Sequence, residues 1–133
     1  MNSLRLPMIR ARAYGTVALC TVLILTAALP EQAQAHAVVT ESSLRTTPIP
    51  VGKATEVVLY FNSGVELALS RVFLVSAGDV YQPVEIKNGK KPGEMLIHLP
   101  ALAEGDYAIK YKVFAADGHL TEDVLRFHVA AKR

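Results

Sequence analysis

Cysteine is nearly absent from this sequence of 133 residues, and its one occurrence, Cys20, lies in an apolar stretch near the amino terminus. If that stretch is removed on export, the remaining chain has no cysteine, which excludes disulfide bonds and thiolate metal sites. Methionine is also scarce, because only Met95 lies beyond the first eight residues. A domain of this size without disulfides has to rely on its apolar core alone.

Motifs of the common enzyme classes are missing as well. The sequence has no G-x-S-x-G nucleophile turn, no glycine-rich phosphate loop and no H-E-x-x-H zinc motif. The carboxylates are scattered, as expected of solvent-facing positions. No catalytic residue is predicted, and histidine remains the residue type best suited to carry chemistry.

Residues 1–35 have the organisation of a Sec-type signal peptide. The positively charged start contains three arginines and no acid: Arg5, Arg10 and Arg12. An uncharged apolar segment, "AYGTVALCTVLILTAAL", follows, and Ala33 and Ala35 supply an A-x-A cleavage box. The apolar segment is shorter than the roughly 20 residues of a membrane anchor. We expect cleavage after Ala35 and export, with membrane contact only through the signal before cleavage.

The net positive charge belongs to this amino-terminal segment. Taking its three arginines and Glu31 from the 14 basic and 12 acidic residues leaves 11 of each in residues 36–133. A balanced mature domain implies neither a nucleic-acid partner nor an anionic surface.

Residues 36–133 predict an all-β domain. Short apolar segments alternate with turn signals, and one face of each strand is predicted to be buried. Seven strand candidates are apparent: "AVVTESS", "ATEVVLYF", "RVFLVS", "DVYQPVEI", "EMLIHLP", "DYAIKYKVF" and "VLRFHVA". About seven antiparallel strands in about a hundred residues are typical of a β-sandwich.

Three polar residues predict a metal site. Cleavage after Ala35 would make His36 the first residue, with its α-amine and ring Nδ1 able to chelate one ion. Near the other end, "ADGH" places Asp117 and His119 around a turn glycine. If the fold brings this turn to His36, three nitrogens and one oxygen become available. Such a set suits Cu(II) or, secondarily, Ni(II), and Zn(II) would accept the same ligands in tetrahedral form.

The sequence resembles the CopC family of periplasmic copper-resistance proteins over nearly all of residues 36–133. The segments that carry the resemblance are "HAVVTESS", "EVVLYFNSGVE" and "GDYAIKYKVFAADGHLTEDVLRFHV". The resemblance implies a Greek-key β-sandwich or barrel of cupredoxin-like or immunoglobulin-like shape, and one Cu(II) per chain held by His36, Asp117 and His119. It also implies an inner-membrane CopD-type protein as a partner.

Two features depart from that family pattern. Some members bind Cu(I) in a methionine-rich loop, whereas the matching region here contains only Met95. Other members carry a glutamate after the second strand, where this chain has Ser63, with Glu66 three residues on. A contribution of Ser63 or Glu66 to the metal site is therefore left open.

The leading prediction is a periplasmic Cu(II)-binding protein that sequesters or delivers copper without catalytic turnover. One alternative is a copper oxidase or oxygenase with a histidine brace, formed by the terminal histidine and a second imidazole. Another is a metal-free sandwich used for interaction, which requires His36 to lie far from Asp117 and His119.

Overall fold

The computed structural model describes residues 36–131, so the predicted signal peptide, residues 1–35, lies outside the described residues. The described chain forms eight strands: β1 (Val39–Ser42), β2 (Thr55–Phe61), β3 (Arg71–Ser76), β4 (Val80–Pro83), β5 (Glu85–Asn88), β6 (Glu94–Leu99), β7 (Gly105–Phe114) and β8 (Leu120–Val129). Two 3₁₀ turns, Ser43–Arg45 and Leu67–Leu69, complete it. A helix with the length and apolar character needed to span a membrane is not found in this part of the chain.

The strands form two separate four-stranded sheets. Their orders are β1-β2-β6-β5 and β4-β3-β7-β8, and every pairing is antiparallel. Hairpins supply β3–β4, β5–β6 and β7–β8, whereas β2–β6 and β3–β7 join strands that are distant in sequence. The predicted antiparallel sandwich is confirmed, and it has two distinct sheets.

The eighth strand arises because "DVYQPVEI" forms two strands where the sequence suggested one. β4 pairs with β3 in one sheet, and β5 pairs with β6 in the other. The chain changes sheets at Val84, whose N–H donates to the carbonyl of Val72 over 3.1 Å. Pro83 ends β4 at the sheet edge, where a residue without an N–H is tolerated.

The core lies between the two sheets and follows the predicted alternation. On β7, Ile109, Tyr111 and Val113 are buried, while Lys112 between them is exposed. Val57 and Leu59 of β2, and Met95 and Ile97 of β6, are fully buried and belong to the same cluster. This apolar packing fixes the positions of the strand ends, which carry the candidate site.

Candidate metal centre

The segment that leads into β1 is held firmly from its second residue onward. Ala37 is fully buried in the core, whereas His36 next to it is exposed. The N–H of Val38 donates to Oδ1 of Asn62 over 2.8 Å, and the N–H of Asn62 donates to the carbonyl of Val38 over 3.0 Å. His36 is therefore tethered one residue away from a fixed point.

The "ADGH" turn connects β7 to β8. The N–H of Gly118 donates to the carbonyl of Ala115 over 2.9 Å, and the N–H of Ala115 donates to that of His119 over 2.8 Å. Gly118 has a φ of 87°, in the left-handed region that a side chain disfavours. A glycine here lets the chain reverse tightly, and the reversal brings the side chains of Asp117 and His119 together.

Both carboxylate oxygens of Asp117 face His119. Oδ1 accepts from the backbone N–H of His119 over 3.1 Å, and Oδ2 lies 3.1 Å from the ring Nδ1. Nδ1 is buried, and its contact with Oδ2 is an ion-pair distance whose angles fall short of a regular hydrogen bond. Nε2 of His98 is also buried without a hydrogen-bond partner in the described chain, so what distinguishes His119 is the ring of His36 beside it.

His36 lies beside this pair. Its ring centroid is 5.4 Å from that of His119, and the two planes meet at 79°. The structure thus brings together the three residues that the sequence singled out from opposite ends of the domain. Within residues 36–131, no three His, Cys, Asp or Glu side chains already stand close enough to share one ion. Shared coordination by all three residues therefore requires their side chains to move closer together.

The electrostatics of the cluster favour a charged carboxylate. The hydrogen bond from the backbone N–H of His119 lowers the pKa of Asp117 from its ordinary value. Partial burial acts against this shift, while the rings of His119 and His36 add to it. Asp117 is an anion next to an available imidazole nitrogen, and this combination attracts a cation.

The other two histidines lie on strands, His98 on β6 and His128 on β8. His98 projects from the polar side of β6, with Nε2 3.5 Å from a carboxylate oxygen of Glu56 on β2. His128 on β8 is exposed, and its Nδ1 is 2.7 Å from Oδ1 of Asp106 on β7. Each histidine contacts a carboxylate across a strand pair.

One short segment links the two parts of the site. Residues 62–66, here called the bridging segment, follow β2 and contact both the segment before β1 and the turn after β7. Its Asn62 holds Val38, its Gly64 carbonyl accepts from Ala116 over 3.0 Å, and Val65 forms an isolated bridge with Ala115. The sequence drew attention to Ser63 and Glu66 in this segment and missed Asn62. Its position directly after a strand, in "FNSG", is the only sequence signal for this role.

Ser63 and Glu66 make other contacts. The hydroxyl of Ser63 donates weakly to the carbonyl of Gly64 over 3.5 Å. Glu66 engages its surroundings through its backbone, whose N–H donates to Phe114 and whose carbonyl accepts from Ser70. In the described chain, no hydrogen bond or ion pair joins either side chain to the three clustered residues.

Gly93 packs closely against the end of β2 and the bridging segment. A Cβ atom at this position would lie 2.7 Å from the carbonyl oxygen of Phe61 and 2.8 Å from that of Ser63. Its φ of 79° also disfavours a side chain. The carbonyl of Gly93 accepts from the N–H of Phe61 over 2.8 Å, so the last residue of β2 is hydrogen-bonded to the residue that precedes β6.

The cluster has donors of the kind that first-row transition metals bind. Two donors that are each about 2.0–2.2 Å from a shared ion lie roughly 3 Å apart. The separation of 3.1 Å between Nδ1 of His119 and Oδ2 of Asp117 matches that requirement. Imidazole nitrogen with carboxylate oxygen suits Cu(II), Ni(II) and Zn(II) better than a thiophilic ion.

Fold and site together define a small antiparallel β-sandwich with an imidazole–carboxylate cluster at one end. The sequence model described as the CopC domain matches residues 39–130, and the chain belongs to the CopC family. That match begins three residues after His36 and includes Asp117 and His119. A comparison with curated proteins gives no match.

Solved structures share the fold. CopC from Methylosinus trichosporium OB3b is 27% identical, with a TM-score of 0.61 over 74% of this chain and 97% of that one. PcoC from Escherichia coli, described as a methionine-rich copper resistance protein, is 21% identical, with a TM-score of 0.54 over 72% of this chain and 100% of its own. At that identity PcoC shows the fold alone.

Proposed function

We propose that this protein is a periplasmic Cu(II)-binding protein that sequesters or delivers one copper ion per chain. The observation that carries the proposal is the approach of His36, to 5.4 Å between ring centroids, towards a histidine whose Nδ1 is buried without a partner and stands 3.1 Å from a carboxylate. Membership of the CopC family supports copper as the ion.

Proteolysis would complete the site. In the full-length chain the nitrogen of His36 belongs to a peptide bond with Ala35. Cleavage after Ala35 would turn this nitrogen into an amine, giving His36 two donors that close one chelate ring. With Asp117 and His119, the ion would then have three nitrogens and one oxygen, a set that suits tetragonal Cu(II).

The proposed mechanism is ligand exchange. The α-amine and the imidazoles bind Cu(II) in their deprotonated forms, so binding near neutral pH releases protons. Acidification returns those protons and releases the ion. Delivery would proceed by stepwise transfer to the ligands of a partner, and a CopD-type inner-membrane protein is the partner we propose.

The donor atoms at this site differ from the thioether sulfurs that favour Cu(I). Met95 is fully buried in the core and faces away from solvent. The described chain therefore presents nitrogen and oxygen donors at the candidate site, and we propose Cu(II) as the bound form. We further propose binding without turnover; sustained oxygen consumption by the copper-loaded protein with a reductant would instead support the histidine-brace alternative.

The test uses the full gene expressed with its own leader, and mass spectrometry of the secreted product to read its first residue. We expect His36. A matched form with one extra residue ahead of His36 keeps every side chain and loses only the free amine. Loss of the chelate should weaken Cu(II) binding about a hundredfold or more in a competition titration. Equal affinity of the two forms, or a different first residue, would refute the proposal.

A further inference from the structure

The end of β2 departs from regular pairing opposite Val38. Val39 still pairs with Phe61, the last residue of β2, but Asn62 after it begins the bridging segment and leaves the regular strand. The N–H of Val38 donates to Oδ1 of the Asn62 side chain over 2.8 Å. In a regular antiparallel strand pair a backbone carbonyl would accept this hydrogen bond. A backbone N–H left without an acceptor is destabilising, so the amide side chain completes the sheet edge.

Asn62 forms two hydrogen bonds with Val38, because its own backbone N–H also donates to the Val38 carbonyl over 3.0 Å. Val38 itself is 52% exposed, so packing of its side chain does little to fix the backbone there. Burial of Ala37 is the other restraint on the segment. Together these contacts define the direction in which the chain leaves the core towards His36.

The same segment holds the turn that carries the other two clustered residues. Its Gly64 carbonyl accepts from the N–H of Ala116, and its Glu66 N–H donates to the carbonyl of Phe114. The Val65–Ala115 bridge lies between these bonds. The bridging segment is therefore hydrogen-bonded to Val38, just before β1, and to the end of β7 with the turn that follows it. Asn62 makes the hydrogen bonds on the side of His36.

We propose that Asn62 is a positioning residue for the amino-terminal ligand: by fixing Val38 it holds His36 within reach of His119. This role rests on the proposed function, because it matters for affinity only if His36 is a ligand. An asparagine suits the role because its oxygen accepts from the Val38 N–H without adding a charge beside the site.

The test compares Asn62→Ala with Thr40→Val in the secreted protein. Thr40 lies on β1, and its hydroxyl donates to the carbonyl of Tyr60 over 3.1 Å. Each variant therefore loses one side chain–backbone hydrogen bond at the same pair of strands, so similar small losses of thermal stability are expected. Only Asn62→Ala removes the acceptor of the Val38 N–H and so loosens the segment next to His36.

Two readouts separate positioning from general stability. In the metal-free protein, Asn62→Ala should expose the Val38 amide to hydrogen exchange and abolish the nuclear Overhauser contact between the rings of His36 and His119. Thr40→Val should keep both. In Cu(II) titration, ordering one or two freed residues on binding should weaken Asn62→Ala roughly tenfold to a hundredfold, with Thr40→Val unchanged.

Asn62→Asp adds a further check, because it retains the acceptor oxygen. At high salt, where the added charge is screened, it should keep the ring contact and bind Cu(II) as the unmodified protein does. The proposal is overturned if Asn62→Ala keeps the ring contact, or if it binds Cu(II) as tightly as Thr40→Val. If the unmodified protein binds no Cu(II), the proposed function fails, while the metal-free readouts still decide whether Asn62 positions His36.

Discussion

Two aspartate–histidine pairs of this molecule have similar separations and different surroundings. In the first, Nδ1 of His119 is 3.1 Å from Asp117, buried and without a hydrogen-bond partner in the described chain. In the second, Nδ1 of His128 forms a 2.7 Å hydrogen bond with Asp106, a side chain that is 92% exposed. A second imidazole, His36, contacts the first pair.

The difference shows what separates a candidate ligand pair from a surface ion pair. His128 and Asp106 are opposite each other in the register of β7 and β8, and their side chains are hydrogen-bonded to each other. Asp117 and His119 share a tight turn whose backbone hydrogen bond occupies one carboxylate oxygen and leaves the ring nitrogen available. Proximity of an aspartate and a histidine is common, whereas an unsatisfied nitrogen beside a second ring is not.

The largest effect should come from removing the available nitrogen. His119→Ala is expected to weaken Cu(II) binding by more than about a hundredfold, because loss of a ligand exceeds the effect of losing a residue that supports one. His128→Ala is the matched control and should bind as the unmodified protein does. Competition titration of both variants measures this, and equal losses would remove the distinction between the two pairs.

A smaller effect is expected from neutralising the carboxylates. Asp117→Asn keeps an oxygen near the ion and loses its charge, so we expect Cu(II) affinity to fall roughly tenfold. Asp106→Asn should leave the affinity unchanged. The same titration gives both values, and a loss confined to Asp106→Asn would place the ion at the second pair.

The second pair should contribute little to folding. Exposed ion pairs stabilise proteins by about 0–1 kcal/mol, so Asp106→Asn should lower the free energy of unfolding by less than about 1 kcal/mol. Chemical denaturation of the metal-free protein checks this. A loss well above that bound would mean that the pair has a structural role which its exposure does not suggest.

The smallest effect concerns pH in the metal-free protein. Because the His119 N–H lowers the pKa of Asp117, this carboxylate stabilises the fold at pH values above the ordinary aspartate pKa. That contribution is lost as the pH falls through the lowered pKa of the folded state. A carbon-detected NMR titration should place the Asp117 midpoint below the ordinary value, and His119→Ala should keep part of the shift because the backbone donor remains. A midpoint at or above the ordinary value would contradict the turn geometry.

Local sequence patterns predicted much of the fold. The prediction that one face of each strand is buried holds on β7 for Ile109, Tyr111 and Val113, and the turn signals separated most strands correctly. The division of β4 from β5 was missed because the switch at Val84 depends on a hydrogen bond to Val72 in a distant strand. Strand order was equally hidden, since β2–β6 and β3–β7 are non-local pairings.

The sequence predicted which residues are candidates for the site, but it did not show that the fold brings them together. The sequence predicted a terminal position for His36 after cleavage and a turn at "ADGH", while the contact between the rings of His36 and His119 depends on how the strands next to them are placed. Asn62 could not be found in this way. Its side chain acts on Val38, 24 residues away, and a single asparagine after a strand is typical of many turns.

The most direct test is a structure of the secreted protein loaded with one equivalent of Cu(II). We expect a single ion bound by the amine and ring nitrogen of His36, a carboxylate oxygen of Asp117 and a ring nitrogen of His119. An ion bound at His128 or His98, or one that leaves His36 uncoordinated, would contradict the proposed centre.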